Sequence, residues 1–132
     1  MEILEIKQEN DALAEMVALF RVELRSYKGI VSKPNYVVCR VDSEVVWVES
    51  IFVKEEYRRH GVATALHSKA EEIATSYGDD TVYNYVHPNN HRMIEFLRKR
   101  GYTVLNLIEI RKPYKDEKLT QTIMAGGHKF DC

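Results

Sequence analysis

An α/β fold is predicted, because segments in which apolar residues alternate with polar ones are interleaved with segments in which they recur every three or four positions. A second observation is the junction at Arg58-Arg59-His60-Gly61-Val62-Ala63, where an apolar run ending at Val53 turns through a basic, glycine-containing loop into a helical pattern running to Tyr77. The third is balance. Nineteen Lys and Arg against 20 Asp and Glu leave 132 residues with a formal charge of −1, which suits one domain over residues 1–132 and offers no basic field for nucleic acid.

Each element has its own signal. Glu2 to Lys7 alternates as an edge strand does. From Asp11 to Tyr27, Leu13, Val17, Phe20, Leu24 and Tyr27 fall at helical spacing and predict a first helix. Gly29 to Asn35, with Pro34, reads as a loop. Tyr36 to Val41 is a strand, Asp42-Ser43 a tight turn, and Glu44 to Val53 a second strand with Val and Ile on both faces, which places it at the centre of a covered sheet. Val62, Leu66, Ala70, Ile73 and Tyr77 then continue a helix that Gly78 stops. Thr81 to Val86 is the next strand and Pro88-Asn89-Asn90 a turn and cap. Met93, Ile94 and Leu97 make the inward stripe of a short helix ended by Gly101. Thr103 to Ile110 and Leu119 to Met124 are predicted strands on either side of a charged loop containing Pro113, and Gly126-Gly127 marks a last turn. The strand from Leu119 to Met124 either closes its own hairpin or pairs with a second copy in a homodimer.

Chemistry enters at the basic junction. The first N–H groups of a helix have no partner within it, and the helix dipole presents its positive end there. Arg58 through Thr64 therefore predict a diphosphate site, with a solvated basic loop as the equal alternative on local pattern alone.

Arg58, two residues, Gly61, one residue, then Ala63 resembles the Q/R-x-x-G-x-G/A signature with which the GNAT superfamily of N-acetyltransferases holds the pyrophosphate of acetyl-CoA. The preceding Ile51-Phe52-Val53-Lys54-Glu55-Glu56-Tyr57 is similar to the family's strand and turn. Asn90 through Tyr102 is similar to its second signature, a helix that begins at Asn and closes with Gly and an aromatic. The resemblance implies a mixed, mostly antiparallel twisted sheet flanked by helices and splayed between its two central strands, with one strand trimmed or merged because the segment from Tyr36 to Val53 is short. It implies acetyl-CoA as acyl donor and an amine acceptor, while the scattered histidines, without ligand spacing, predict no metal. The diphosphate would be held at Arg58, Arg59, His60, Gly61, Val62, Ala63 and Thr64, and the pantetheine arm would pair with the backbone of Ile51, Phe52 and Val53. Asn90 would bond the pantetheine or a water, a role that coexists with ordinary helix capping.

Acetyl transfer to an amine requires a neutral nucleophile, and so a base near the acceptor nitrogen. Period two puts Val45, Trp47, Glu49, Ile51 and Val53 on one face, which makes Glu49 a lone carboxylate in an apolar row. Such a residue either pairs with a neighbouring Arg, caps an edge or is turned out by a bulge, or it faces the acceptor as catalytic base. The family carries a Glu at the corresponding place, and the resemblance implies the base. Where many members carry a Tyr that protonates the leaving thiolate, this chain has Leu97. That leaves three routes: departure without a dedicated acid, donation from Tyr85 or His87, or coenzyme binding without transfer.

His60, His67, His87, His91 and His128 show no ligand spacing with Cys or Asp. Cys39 and Cys132 make a poor disulfide framework, no apolar run approaches a membrane span, and the N-terminus lacks the regions of a signal peptide, so a soluble cytoplasmic protein is expected. Three functions are consistent with these residues. They are acetylation of a small, polyamine-like amine, acetylation of a protein N-terminus or lysine, and a non-catalytic coenzyme A-binding module.

Overall fold

Backbone alternation dominates the first half of the chain. The computed structural model describes residues 2–8, 17–26 and 35–132, with side chains for Val22 and from residue 35 onward. The strands are β1 (Glu2–Gln8), β2 (Val17–Ser26), β3 (Asn35–Asp42), β4 (Val45–Phe52) and β5 (Tyr83–Asn84), with helix α1 (Val62–Ser76) between the last two. They form one sheet in the order β1-β2-β3-β4-β5, antiparallel except for the parallel β4/β5 pair. The expected edge strand, hairpin strands and the helix that follows the basic loop are all present. The strand predicted over Thr81 to Val86 shortens to two paired residues.

The helix predicted from Asp11 to Tyr27 is a strand over Val17–Ser26, and the rest of that prediction lies outside the described residues. Phe20 and Leu24, four apart, satisfy period two as readily as a helical turn. The sequence Phe20-Arg21-Val22-Glu23-Leu24-Arg25 alternates apolar and charged, and Val22, which the helical stripe had no place for, is fully buried opposite Val37. β2 is therefore the strand that the short Tyr36-to-Val53 segment had left unaccounted for. Of the predicted Gly29-to-Asn35 loop only Asn35 is described, as the first residue of β3.

The β3–β4 turn falls one residue later than expected. Ser43 and Glu44 carry it at φ 49° and 70°, the twist that suits a two-residue hairpin. One face of the hairpin is covered. Val22, Val37, Cys39, Val41, Val46 and Val48 of the sheet and Val62, Leu66, His67, Ala70 and Ala74 of α1 are buried, and α1 packs on β2, β3 and β4. Among the described residues the two buried polar side chains are satisfied: His67 Nε2 lies 3.0 Å from Asn84 Oδ1, and Asn35 Oδ1 accepts the Lys54 amide at 2.7 Å. Burial pushes the Cys39 thiol up to about 12. The opposite face of β4 is not covered as expected of a central strand, since Glu49 and Ser50 are exposed.

α1 ends at Gly78, as predicted, with the Asp79 amide bonded to Ala74 O and the Gly78 amide to Thr75 O, the paired closure of a Schellman cap.

Residues Met1–Tyr85 form one compact unit and Val86–Cys132 a second. In the second, α2 (His91–Lys99) starts at Asn90, whose Oδ1 accepts the Met93 amide at 3.2 Å, and closes with the same cap through Tyr102 and Gly101. β6 (Thr122–Ala125) and β7 (His128–Asp131) pair across Gly126-Gly127, so the strand predicted over Leu119 to Met124 starts later and closes its own hairpin. The strand predicted over Thr103 to Ile110 is absent: no backbone of this unit pairs with it, and Val104, Leu105, Leu107, Ile108 and Ile110 are exposed. The charged loop is closed on itself. Arg111 forks onto Glu117 at 2.9 and 2.8 Å, the Tyr114 amide donates to the same carboxylate at 2.9 Å, and the guanidinium lies 4.4 Å from the Tyr114 ring centroid.

Leu66 is fully buried at the centre of the α1–sheet contact, so Leu66→Ala is expected to cost about 2–5 kcal/mol in urea unfolding. The Arg111 hydrogen bond, then the Tyr114 amide, hold the Glu117 carboxyl down from 4.5 to about 2. A depressed carboxylate contributes above its ordinary value and ceases to as pH falls through the lowered one. The 111–117 loop is therefore expected to stay closed below pH 4.5 and to open as pH approaches about 2, read by NMR titration of the Glu117 side chain.

Candidate active site

Strand β4 carries an irregularity that defines the site. Cys39 pairs with Val48 and Val38 with Ser50, which leaves Glu49 as the extra residue of a bulge. Up to Glu49 the predicted face holds. Beyond it parity changes, and Ile51 lies opposite Val37 on the covered side. The row expected to run from Val45 to Val53 thus stops at Glu49.

Glu49 is not a lone carboxylate among apolar neighbours. Its Oε1 accepts from Arg40 Nε at 2.5 Å, with the Arg40 and Glu49 side chains 27% and 34% exposed. Arg40 Nη2 donates to the Tyr85 hydroxyl at 3.2 Å, Nη1 lies 3.8 Å from Asp42 Oδ2, and the guanidinium sits 4.4 Å from the Trp47 ring centroid. Trp47 and Tyr83, paired across β4 and β5, bring their rings to 5.8 Å. Period two explains the convergence. Arg40 and Trp47 are register partners, so their side chains leave the sheet on one face. Sequence reasoning did not name Arg40, although counting back from a two-residue turn pairs 42 with 45 and hence 40 with 47.

The splay expected between the central strands is present. β5 pairs with β4 only at Trp47 and Val48, so within residues 35–85 the β4 edge beyond Val48 has no β5 partner, while its other edge stays paired to β3 as far as Phe52. Ile51 and Val53 are half-buried, and Phe52 packs its ring 5.7 Å from Tyr36.

From Val53 the chain enters a turn of 3-10 helix, Glu55–Tyr57, closed by Tyr57 N to Lys54 O at 2.9 Å and Arg58 N to Glu55 O at 3.2 Å. Arg58 Nε donates back to Val53 O at 3.2 Å, so its guanidinium anchors the loop to the strand. Arg59 and Gly61 are left-handed at φ 65° and 77°, and Gly61 is the N-cap of α1. A Cβ on Gly61 would meet nothing within 4 Å, so the requirement for glycine is torsional. The amides of Arg59, His60, Gly61, Val62, Ala63 and Thr64 have no acceptor among the described residues, the next amide, Ala65, bonding Gly61 O at 3.0 Å. Six consecutive donors around two left-handed residues, at the positive end of a 15-residue helix, form a concavity suited to an anion such as a diphosphate. His60 and Thr64 are exposed and Ala63 half-buried, whereas the Val62 side chain is buried and offers only its amide.

Asn90, in the second unit, is exposed and caps α2. Leu97 is buried. Of the two alternative proton donors, the Tyr85 hydroxyl accepts from Arg40, and His87 is exposed with its Nδ1 accepting the Asn89 amide at 3.1 Å. Among the described residues no group of three His, Cys, Asp or Glu could hold a metal ion, and no helix is long and apolar enough to cross a membrane.

The acetyltransferase (GNAT) family model matches residues 7–102. The chain therefore belongs to the GNAT family and is an acetyl-CoA-dependent N-acetyltransferase. No curated protein shows a significant sequence match. The fold is similar to that of AAC(6')-Iy in complex with the bisubstrate analogue CoA-S-monomethyl-acetylneamine, with a TM-score of 0.56 and 18% identity over 85% of this chain and 99% of that one. It is also similar to that of the aminoglycoside 6'-N-acetyltransferase AAC(6')-Ih from Acinetobacter baumannii, with a TM-score of 0.59, 14% identity and the same two coverages. AAC(6')-Iy in complex with CoA is a further neighbour, with a TM-score of 0.50 and 20% identity over 83% of this chain and all of that one.

Proposed function

We propose that this enzyme transfers acetyl from acetyl-CoA to a primary amine of a small, polyamine-like molecule, with Glu49 as the base. The observation that carries the reading is the run of six unpartnered amides, Arg59 to Thr64, following the strand that bears Glu49. Acetyl-CoA supplies an activated acyl group. The chain's residues bind its diphosphate through those amides, with Arg59 and Thr64 as further donors, and its pantetheine arm through the open β4 edge at Ile51 to Val53. Glu49, exposed on the same strand, takes a proton from the acceptor ammonium directly or through water and leaves a neutral nitrogen to attack. The departing thiolate needs no dedicated acid, since a free thiol titrates near ~8.5, and so Leu97 in place of a tyrosine does not prevent turnover.

A small acceptor is supported by the neighbours, which are aminoglycoside acetyltransferases, and by two carboxylates and an aromatic face around Arg40, a chemistry suited to organic cations. We treat residues 1–132 as one functional domain, because the family match runs across the boundary between the two units. Two free cysteines fit a reducing cytoplasm.

A thiol-release screen of acetyl-CoA against polyamines, aminoglycosides, amino acids and peptides tests the acceptor class, and turnover with peptides alone would replace the small-molecule reading with protein acetylation. Glu49→Gln is expected to lower kcat at neutral pH by about 10²-fold or more with little change in coenzyme affinity. An unchanged rate removes Glu49 from the chemistry. Ala63→Glu places a carboxylate among the free amides and is expected to abolish acetyl-CoA binding in calorimetry while the unfolding midpoint holds. Retained affinity would move the phosphate site elsewhere.

A further inference from the structure

We infer that Arg40 is a built-in surrogate for the acceptor: its guanidinium occupies the cation site of the open face, and substrate ammonium groups bind by displacing it. The surroundings are those of an organic-cation receptor. The guanidinium stacks 4.4 Å from the Trp47 centroid, bonds Glu49 Oε1, donates to the Tyr85 hydroxyl at 3.2 Å and lies 3.8 Å from Asp42 Oδ2. An aromatic face, two carboxylates and a phenol oxygen also accommodate other organic cations of similar size. Arg40 is tethered to β3 by a flexible stem, and neither it nor Glu49 is closed off from solvent, so the guanidinium can leave without the sheet moving.

Charge decides what replaces it. Among the described residues one positive charge stands against two negative ones, Asp42 and Glu49, so this described set remains anionic with Arg40 in place and holds two carboxylates without their guanidinium partner once Arg40 swings out. A diamine or polyamine satisfies both carboxylates, a monoamine only one, and a neutral amine cannot compete. Displacement also frees Glu49 Oε1, so that the carboxylate becomes available as a base when a cation arrives to be deprotonated. This last step rests on the proposed role of Glu49, whereas the displacement itself does not.

Trp47 is the only tryptophan of the chain and forms one wall of the box, so its fluorescence reports occupancy without turnover. Titrations with putrescine and with butylamine are compared in the wild type, Arg40→Gln and Arg40→Lys. Removing an internal occupant present most of the time is expected to tighten putrescine binding roughly tenfold in Arg40→Gln, with Arg40→Lys between it and the wild type and butylamine weaker throughout. Guanidinium ion at non-denaturing concentration is expected to compete with putrescine in Arg40→Gln. In the wild type, the NMR signal of the Arg40 Nε–H is expected to shift as putrescine is added, which keeps the test available should a variant fold poorly. Unchanged or weaker putrescine binding in a folded Arg40→Gln, or an Arg40 signal indifferent to putrescine, would overturn the inference and leave Arg40 as a prop for Glu49. A Glu49→Gln enzyme of normal rate, beside tighter binding in Arg40→Gln, would remove the base while keeping the surrogate.

Discussion

The single extra residue in β4 is the constraint on which the rest of the site depends. A regular strand would have kept Glu49 and Ile51 on one face. The bulge opposite Val38 and Cys39 separates them, so the same strand lays Val46 and Val48 beneath α1, sends Ile51 toward that covered side, and leaves Glu49 exposed where Arg40 reaches it. It also falls where β5 parts from β4. Loss of one ladder partner and loss of β5 as a neighbour coincide, and within residues 35–85 they leave strand backbone unpaired next to the carboxylate that Arg40 holds. Bulges re-aim side chains in this way at functional sites.

The helix junction at Gly61 is the second half of the same design. Arg58 returns to the carbonyl of Val53, so the strand end and the loop are one hydrogen-bonded piece. Because that bond uses a side chain, the amides that follow are left over. A loop that satisfied its own donors would have been more stable in isolation and unable to hold an anion. The buried Val62 and Leu66 secure the helix to the sheet from below, which keeps the donors in place although no described residue binds them.

Much of this was legible from residue order. Strand periodicity located β3 and β4 to within a residue or two, the glycines at 78 and 101 marked both helix ends, and Asn90 was readable as a cap. Gly61 marked the start of α1, where the chain is left-handed at the N-cap and glycine takes that conformation most readily. Other features were not readable, for physical reasons. Phe20 and Leu24 satisfy both periods, and only the burial of Val22 separates strand from helix there. A bulge has no residue signature, so the face of Ile51 was misassigned. The pairing of Arg40 with Glu49 is long-range and depends on register across the hairpin. Thr103 to Ile110 has the composition of a strand, but a strand also needs a partner backbone, which composition does not reveal.

The two sulfhydryls differ in a way that bears on how catalysis can be watched. Cys39 is sealed beneath α1 and held in its unreactive protonated form, whereas Cys132 is half-buried at the chain end, its Sγ 3.6 Å from Asn89 Oδ1. A disulfide-exchange dye following liberated coenzyme would therefore meet one protein equivalent per chain at the outset, a constant background rather than a drift. Appearance of a second equivalent would signal that the β-sheet has parted from its helix, so the same cuvette records both product formation and the opening of the core.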